Sequence, residues 1–360
     1  MRSMTPKQRW QAVLSGEPPD RTPFDYWGTA EVTARLMQDL GCATEKDLWE
    51  RLEVDKCIHL SIPHPMATEE TWHVQSQFSV WHIGTKLVEY GDGLGVYEET
   101  NYSPLAGAES VRHVERFDWP DPEAWDVSGL RAQCEVWRDY PILAGSYEPF
   151  YLYCRLRGME QAMEDLVENP QIAEAALERI YFIHEELIRR ILDEAGDLID
   201  LVYVAEDLGT QESLLMSPSA FRRFLKPWMA RMIEFVHSRG LRVMHHDDGA
   251  IRPLISDLIE IGVDVLNPIQ WRCKGMDREG LARDFGKSLV FHGGIDNQQT
   301  LAFGSPEDVR KEVAENLEIF GRCRGYVVAP CHNIQAVTPT ANILALYEFR
   351  GQATQPRNSR

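Results

Sequence analysis

Apolar positions along this chain switch period in a regular way. In the second half, short apolar runs with no polar face alternate with stretches whose apolar residues recur every three to four positions. The runs are LIDLVYVA (198–205), LRVMHH (241–246), VDVLNPIQ (263–270), SLVFHGG (288–294) and GYVVAP (325–330). The amphipathic stretches are 219–240, 251–262, 276–286, 306–321 and a last one near 340–350. Runs buried on both faces and separated by helices are the pattern of parallel strands with crossovers. The front half offers three more runs, TPFDYW (22–27), KCIHLSI (56–62) and YPILAGSY (140–147). Eight strand–helix units in this length predict an α/β fold, a single (β/α)8 TIM barrel over residues 1–350. A doubly wound sheet is the alternative, and no Gly-x-Gly-x-x-Gly follows a first strand to support it. Residues 66–118, rich in Trp, Tyr, Thr and Gly, break the alternation and read as a β-hairpin-like excursion after strand two, placed to cover a site. Residues 351–360, ending QATQPRNSR, read as a frayed tail.

Composition narrows the function. The 360 residues are 44% hydrophobic, enough for one large core, and carry a formal charge of −19. Such a surface repels phosphate backbones and anionic membranes, so no nucleic-acid or membrane partner is expected. No apolar run reaches the length of a membrane span. The start, MRSMTPKQRWQAVLSG, reads as an amphipathic helix capped by Thr5 with Pro6 at its first position, and not as a signal peptide. Seven scattered cysteines with no Cys-x-x-Cys pair argue for reduced thiols and a cytoplasmic protein.

In a parallel barrel the chemistry sits where strands end. Strand one ends at Asp25, Tyr26, Trp27 and Gly28, and strand two carries Cys57 and His59. Strand three ends at Ser146, Tyr147 and Glu148; strand four at Glu206 and Asp207, with Gln211 beyond. Strand five ends in HHDDG, strand six at Asn267, Gln270 and Trp271, strand seven at His292, Gly293 and Gly294. Strand eight gives Cys331, His332, Asn333 and Gln335. A solvated loop rim would favour Ser, Lys and Glu over this set of His, Cys, Trp and Asn. In HHDDG the period of two sends His245 and His246 to opposite faces and puts His246 with Asp248. That pair suits a divalent metal. Equally, Asp248 caps the helix that begins near Ile251, or Asp247 orients a histidine. His59 and His292 read as core or supporting residues before they read as ligands.

These residues, with MTPKQRWQAVLSGEPPDRTP, EDLGTQESLLMSPSAFRRFLKPW, HHDDGAIRPLISDLIEIGVDVLNPIQ, FHGGIDNQQTLAFGSPEDVRKEV and GYVVAPCHNIQAVTPTANILALYE, make the chain resemble the uroporphyrinogen decarboxylase superfamily over nearly its whole length. True uroporphyrinogen decarboxylases carry an Arg-Gln-Ala-Gly-Arg pattern near the first strand. This chain has RTPFDYWGTAEVTARL there, with Tyr26–Trp27 and no guanidinium pair for a polycarboxylate. The resemblance is closer to the zinc methyltransferases that exchange methyl groups with a corrinoid protein. Their pattern is His-x-Cys after strand five and Cys after strand eight. On that pattern His246, Asp248 (in the place of a cysteine) and Cys331 are the implied zinc ligands, with His332 competing with Cys331.

The expected function is therefore a methyltransferase, or demethylase, moving a methyl group between a small O-methyl, aromatic substrate and a corrinoid carried by a partner protein. A carboxylate in place of thiolate makes a harder zinc, a better Lewis acid towards oxygen. Tyr26, Trp27, Tyr147 and Trp271 are expected to wall the substrate; Gln211, Asn267, Asn333 and Gln335 to fix its polar groups. Glu148, Glu206 and Asp207 are the expected catalytic carboxylates. A metal-independent decarboxylase of a uroporphyrinogen-like or smaller aromatic acid is the second reading. The sequence leaves room for a homodimer.

Overall fold

The computed structural model describes residues 3–64, 80–91, 95–145 and 148–348. Its centre is a curled sheet of seven parallel strands. They are β1 (Ile58–His59), β4 (Ile142–Ala144), β5 (Leu201–Tyr203), β6 (Arg242–His246), β7 (Val265–Asn267), β8 (Val290–Ile295) and β9 (Gly325–Pro330), paired in that order. Each lies inside one of the apolar runs, except that β8 extends one residue past its own. The remaining run, 22–27, forms a parallel bridge from Phe24 to Val328 of β9, while the Asp55 N–H donates to the Phe24 carbonyl (2.6 Å) just before β1. Strands β2 (Gly84–Tyr90) and β3 (Gly95–Tyr102) form a separate antiparallel ribbon within 66–118; residues 66–79 and 92–94 of that stretch are outside the described part. After the ribbon, the buried Arg157 donates to the carbonyls of Leu105 and Ala106, tying this stretch to the helix Pro149–Arg157.

The period of two along the strands explains the interior. Cys57, Leu143, Leu201, Met244, Val265, Val290 and Val327 meet in one apolar layer inside the curl, each buried completely. Trp10, Val13 and Leu14 join that layer from the helix Pro6–Ser15. That helix begins with a full capping box, Thr5 to Gln8, and Pro6 at its first position. The opposite face of the strands packs a second, larger core under the helices, including the apolar stripe of Pro170–Ala195 (Ile180, Ile183, Leu187, Ile191). Two residues towards the carboxyl end from the inner layer, the same parity brings His59, Tyr203, His246, Asn267 and His292. The sheet thus changes from apolar to polar over one layer.

Candidate functional site

His246 stands at the middle of that polar layer. Trp27 stacks on its ring with centroids 6.1 Å apart and planes at 18°. Tyr203 lies 5.9 Å away on the same measure and His332 6.3 Å away, while His59 contacts both Trp27 and Tyr203. Asp248 Oδ1 is 3.9 Å from His246 Nε2. Its carboxylate is held in place by Gln270, whose Nε2 donates to Oδ1 (2.9 Å) and whose Oε1 accepts from Gly249 N–H (2.8 Å).

Behind His246 runs a buried chain of hydrogen bonds. His246 Nδ1 lies 2.6 Å from Asn267 Oδ1, Asn267 Nδ2 lies 2.6 Å from His292 Nδ1, and His292 Nε2 lies 3.0 Å from Asp25 Oδ2. Asp25 also accepts from Trp27 Nε1–H and from the N–H groups of Tyr26 and Cys57. Asp25, Asn267 and His292 are inaccessible to solvent. Burial alone would raise the Asp25 carboxyl, but Lys56, His292 and the N–H donors hold it below its ordinary value.

The site is electronegative. Burial raises Glu148, Asp207 and Asp248, and Asp207 is pushed up to about 7 by burial together with Asp248 and Asp247. Against its own burial, His246 is raised by Asp248, by the bond to Asn267 and by Glu148 and Asp207. The charged groups acting on Asp207, Asp248 and His246 are carboxylates and histidines, with no arginine or lysine among the principal ones.

The other expected residues divide. Glu206 is fully buried, accepting from Tyr181 O–H (2.6 Å) and Phe150 N–H (2.9 Å). Tyr26 is a core residue, its hydroxyl bonded to Thr33 and its ring packed on Trp49 and Tyr347. Trp271 has Arg272 and Arg278 guanidinium carbons each 4.3 Å from its ring centroid, so its ring is engaged by cations. Asn267 is a link in the buried chain. Gln211 accepts from Cys273 Sγ at the edge of a small cleft with Gln270, Trp271 and Cys331. Asn333 and Gln335 flank Ile334, which bridges Gly28 beside Trp27. Tyr147 lies outside the described residues.

The expected zinc ligands do not assemble. Cys331 donates its thiol proton to the Ile269 carbonyl (3.1 Å), and burial raises that thiol well above its ordinary value. Among the described residues no three His, Cys, Asp or Glu side chains converge to hold a metal. His246 with Asp248 is the pair that comes together. Tyr203 completes the site without having been singled out in the sequence, and Asp25 and Gln270, noted there only as strand-end groups, take specific roles in it. Tyr203 was readable as two residues beyond the inner-facing Leu201, and Asp25 as two before Trp27.

The family profile described as Uroporphyrinogen decarboxylase (URO-D) matches residues 96–352. Curated relatives include Uroporphyrinogen decarboxylase from Shewanella halifaxensis, 25% identical over 92% of this chain and 93% of the relative. The Thermus thermophilus enzyme of the same name is 30% identical over 37% of each chain. Among solved structures, a methyltransferase from Methanosarcina mazei superposes with a TM-score of 0.67 at 22% identity, over 97% of this chain and 98% of that one; this likeness is one of fold. Among the described residues no helix is long and apolar enough to cross a membrane.

Proposed function

Since the chain belongs to the uroporphyrinogen decarboxylase (URO-D) family, we propose that it is a methyltransferase of that family, taking the methyl group from a small O-methylated, ring-bearing substrate. The observation that carries this reading is the rim around His246: carboxylates Glu148, Asp207 and Asp248 beside Trp27 and Tyr203, with no guanidinium among the principal charges acting on it in the described residues. Such a pocket repels a polycarboxylate porphyrinogen and accepts a neutral ring against Trp27. We read the sheet as part of a (β/α)8 barrel with residues 22–27 as its first strand, an assignment supported by the Phe24–Val328 bridge. The site then lies at the carboxyl ends of its strands, and the β2–β3 ribbon is read as its cover.

Breaking a methyl–oxygen bond sends the electron pair to oxygen, which needs a proton. Asp207, with a carboxyl that titrates near neutrality, supplies it. Trp27 and Tyr203 hold the ring, and Glu148 and Asp248 keep His246 and the donor group oriented. A corrinoid carried by a partner protein supplies the nucleophile that takes the methyl group. No step runs through zinc, because Cys331 is turned to Ile269 and the ligand set is not formed.

The test is methylation of added cob(I)alamin by aryl methyl ethers, with carbon dioxide release from uroporphyrinogen and from small aromatic acids measured in parallel. Methyl transfer is expected, abolished in His246→Ala and lowered about 10²–10⁴-fold in Asp207→Asn. Carbon dioxide release without methyl transfer would replace this reading with the decarboxylase. Metal content of the same preparation decides zinc. One zinc per chain that is lost in His246→Ala would add a Lewis acid beside the Asp207 proton.

A further inference from the structure

We infer that Asp25, His292 and Asn267 are positioning residues for His246: when the imidazole is neutral, their hydrogen-bonded chain keeps its proton on Nδ1 and turns the Nε2 lone pair towards Asp248. The inference rests on the proposed function only in taking His246 as the working side chain.

The polarity of the chain follows from its inner end. Asp25 receives four donors: Tyr26 N–H, Cys57 N–H, Trp27 Nε1–H and His292 Nε2–H. An ionised carboxylate is acceptor only, so the His292 proton must sit on Nε2. A neutral His292 then has its lone pair on Nδ1, 2.6 Å from Asn267, and the amide must offer it N–H. That orientation leaves Asn267 Oδ1 facing His246 at 2.6 Å, and only an Nδ1–H of His246 satisfies it. With His292 neutral, each assignment follows from the one before, and Asp25, Asn267 and His292 are wholly buried, out of reach of water. A histidine with Nδ1–H fixed by a supporting group offers Nε2 as ligand or base in a single orientation. Asp248, 3.9 Å from that Nε2, is the neighbour it meets.

The alternative is equally definite. If the amide of Asn267 is reversed, His292 must carry a proton on Nδ1, and His246 presents Nε2–H as a donor. Asp25→Asn should drive the chain to that state: an amide N–H facing His292 Nε2 forces its proton to Nδ1, which reverses Asn267 and then His246. Loss of a buried acceptor alone would destabilise the fold but would not move a proton between the two nitrogens of a residue three bonds away in the chain.

The experiment is ¹⁵N spectroscopy of the full chain with labelled histidine, at a pH alkaline enough to keep imidazoles neutral. His246 is assigned by the resonance lost in His246→Gln. Wild-type His246 is expected to show a protonated Nδ1 and an unprotonated Nε2, and Asp25→Asn to show the reverse. Should Asp25→Asn fail to fold, Asn267→Leu removes the middle link and should give a mixture of the two tautomers. A wild-type His246 protonated on Nε2, or one whose tautomer is unchanged in a folded variant, overturns the proposal. The spectra need no substrate. A chain that shows the inversion but transfers no methyl group therefore refutes the functional reading and leaves the positioning role standing.

Discussion

Asp165 is a carboxylate with no solvent exposure, held by Arg157 Nε (2.7 Å), Tyr153 O–H (2.8 Å) and Gln161. Arg157 is itself buried and carries the Leu105 and Ala106 carbonyls, so removing the anion strands a guanidinium in the core. Asp165→Asn should cost about 3–5 kcal/mol at neutral pH. Burial raises the Asp165 carboxyl, but Arg157, Tyr153 and Gln161 outweigh it and hold it below the ordinary value of 3.8. The stability gained is thus complete above that value and lost as pH falls through the lower folded one. Denaturant titrations of wild type and variant should show a gap that is constant from neutrality to mild acid and closes only in strong acid; a gap that closes near neutrality would refute the ion pair. The same contrast between partnered and cavity-facing groups explains which site residues were readable from sequence. His246, Asp248 and Trp27 were, because strand ends and the period of two place them together. Glu206, Tyr26 and Trp271 stand at strand ends too, but Tyr181, Thr33 and Arg278, which engage them, lie further along the chain, and strand-end position alone does not reveal them.

Between the residue and the sheet lie the loops that aim these groups, and two of them touch backbone to backbone. A Cβ on Gly209, after β5, would fall 2.1 Å from the Asp248 carbonyl oxygen; one on Gly249, after β6, would fall 2.5 Å from the Gly209 carbonyl carbon. The contact fixes the loop of Asp207 against the loop of Asp248, and Asp247 reinforces it by accepting from Leu208 N–H (2.7 Å). Gly209→Ala has no flexible side chain to push aside, so the loops must part. The expected cost is about 1–3 kcal/mol, with the proposed methyl transfer lowered far more than in Gly129→Ala, where the added methyl meets nothing within 4 Å. Equal activity in the two variants would refute the role of this crossing. The strands themselves were legible because each is an uninterrupted apolar run between helices. The loop crossing was not: it joins glycines 40 residues apart, and either one alone reads as a turn.

For the molecule as a whole, the excess of 56 acidic over 37 basic residues and the buried histidines respond to acid with opposite signs. Protonating surface carboxylates relieves repulsion in a chain that carries −19. His184 works against that relief. It is 4% exposed on the long helix Pro170–Ala195, edge-on to Trp81, and burial pushes it down to about 3 from 6.5. Its folded value is the depressed one. Stability is therefore full above the unfolded value and falls as pH drops below it, because the unfolded chain takes up a proton that the native chain refuses. Between pH about 6.5 and about 5 this one residue should cost about 2 kcal/mol. His184→Gln cannot titrate, so the variant should start less stable at neutral pH and lose about 2 kcal/mol less over that interval. Urea unfolding at three pH values reads the slopes directly: converging curves place the acid sensitivity in the buried helix layer, whereas parallel curves would mean that His184 is protonated in the folded chain and that the fall in stability comes from elsewhere.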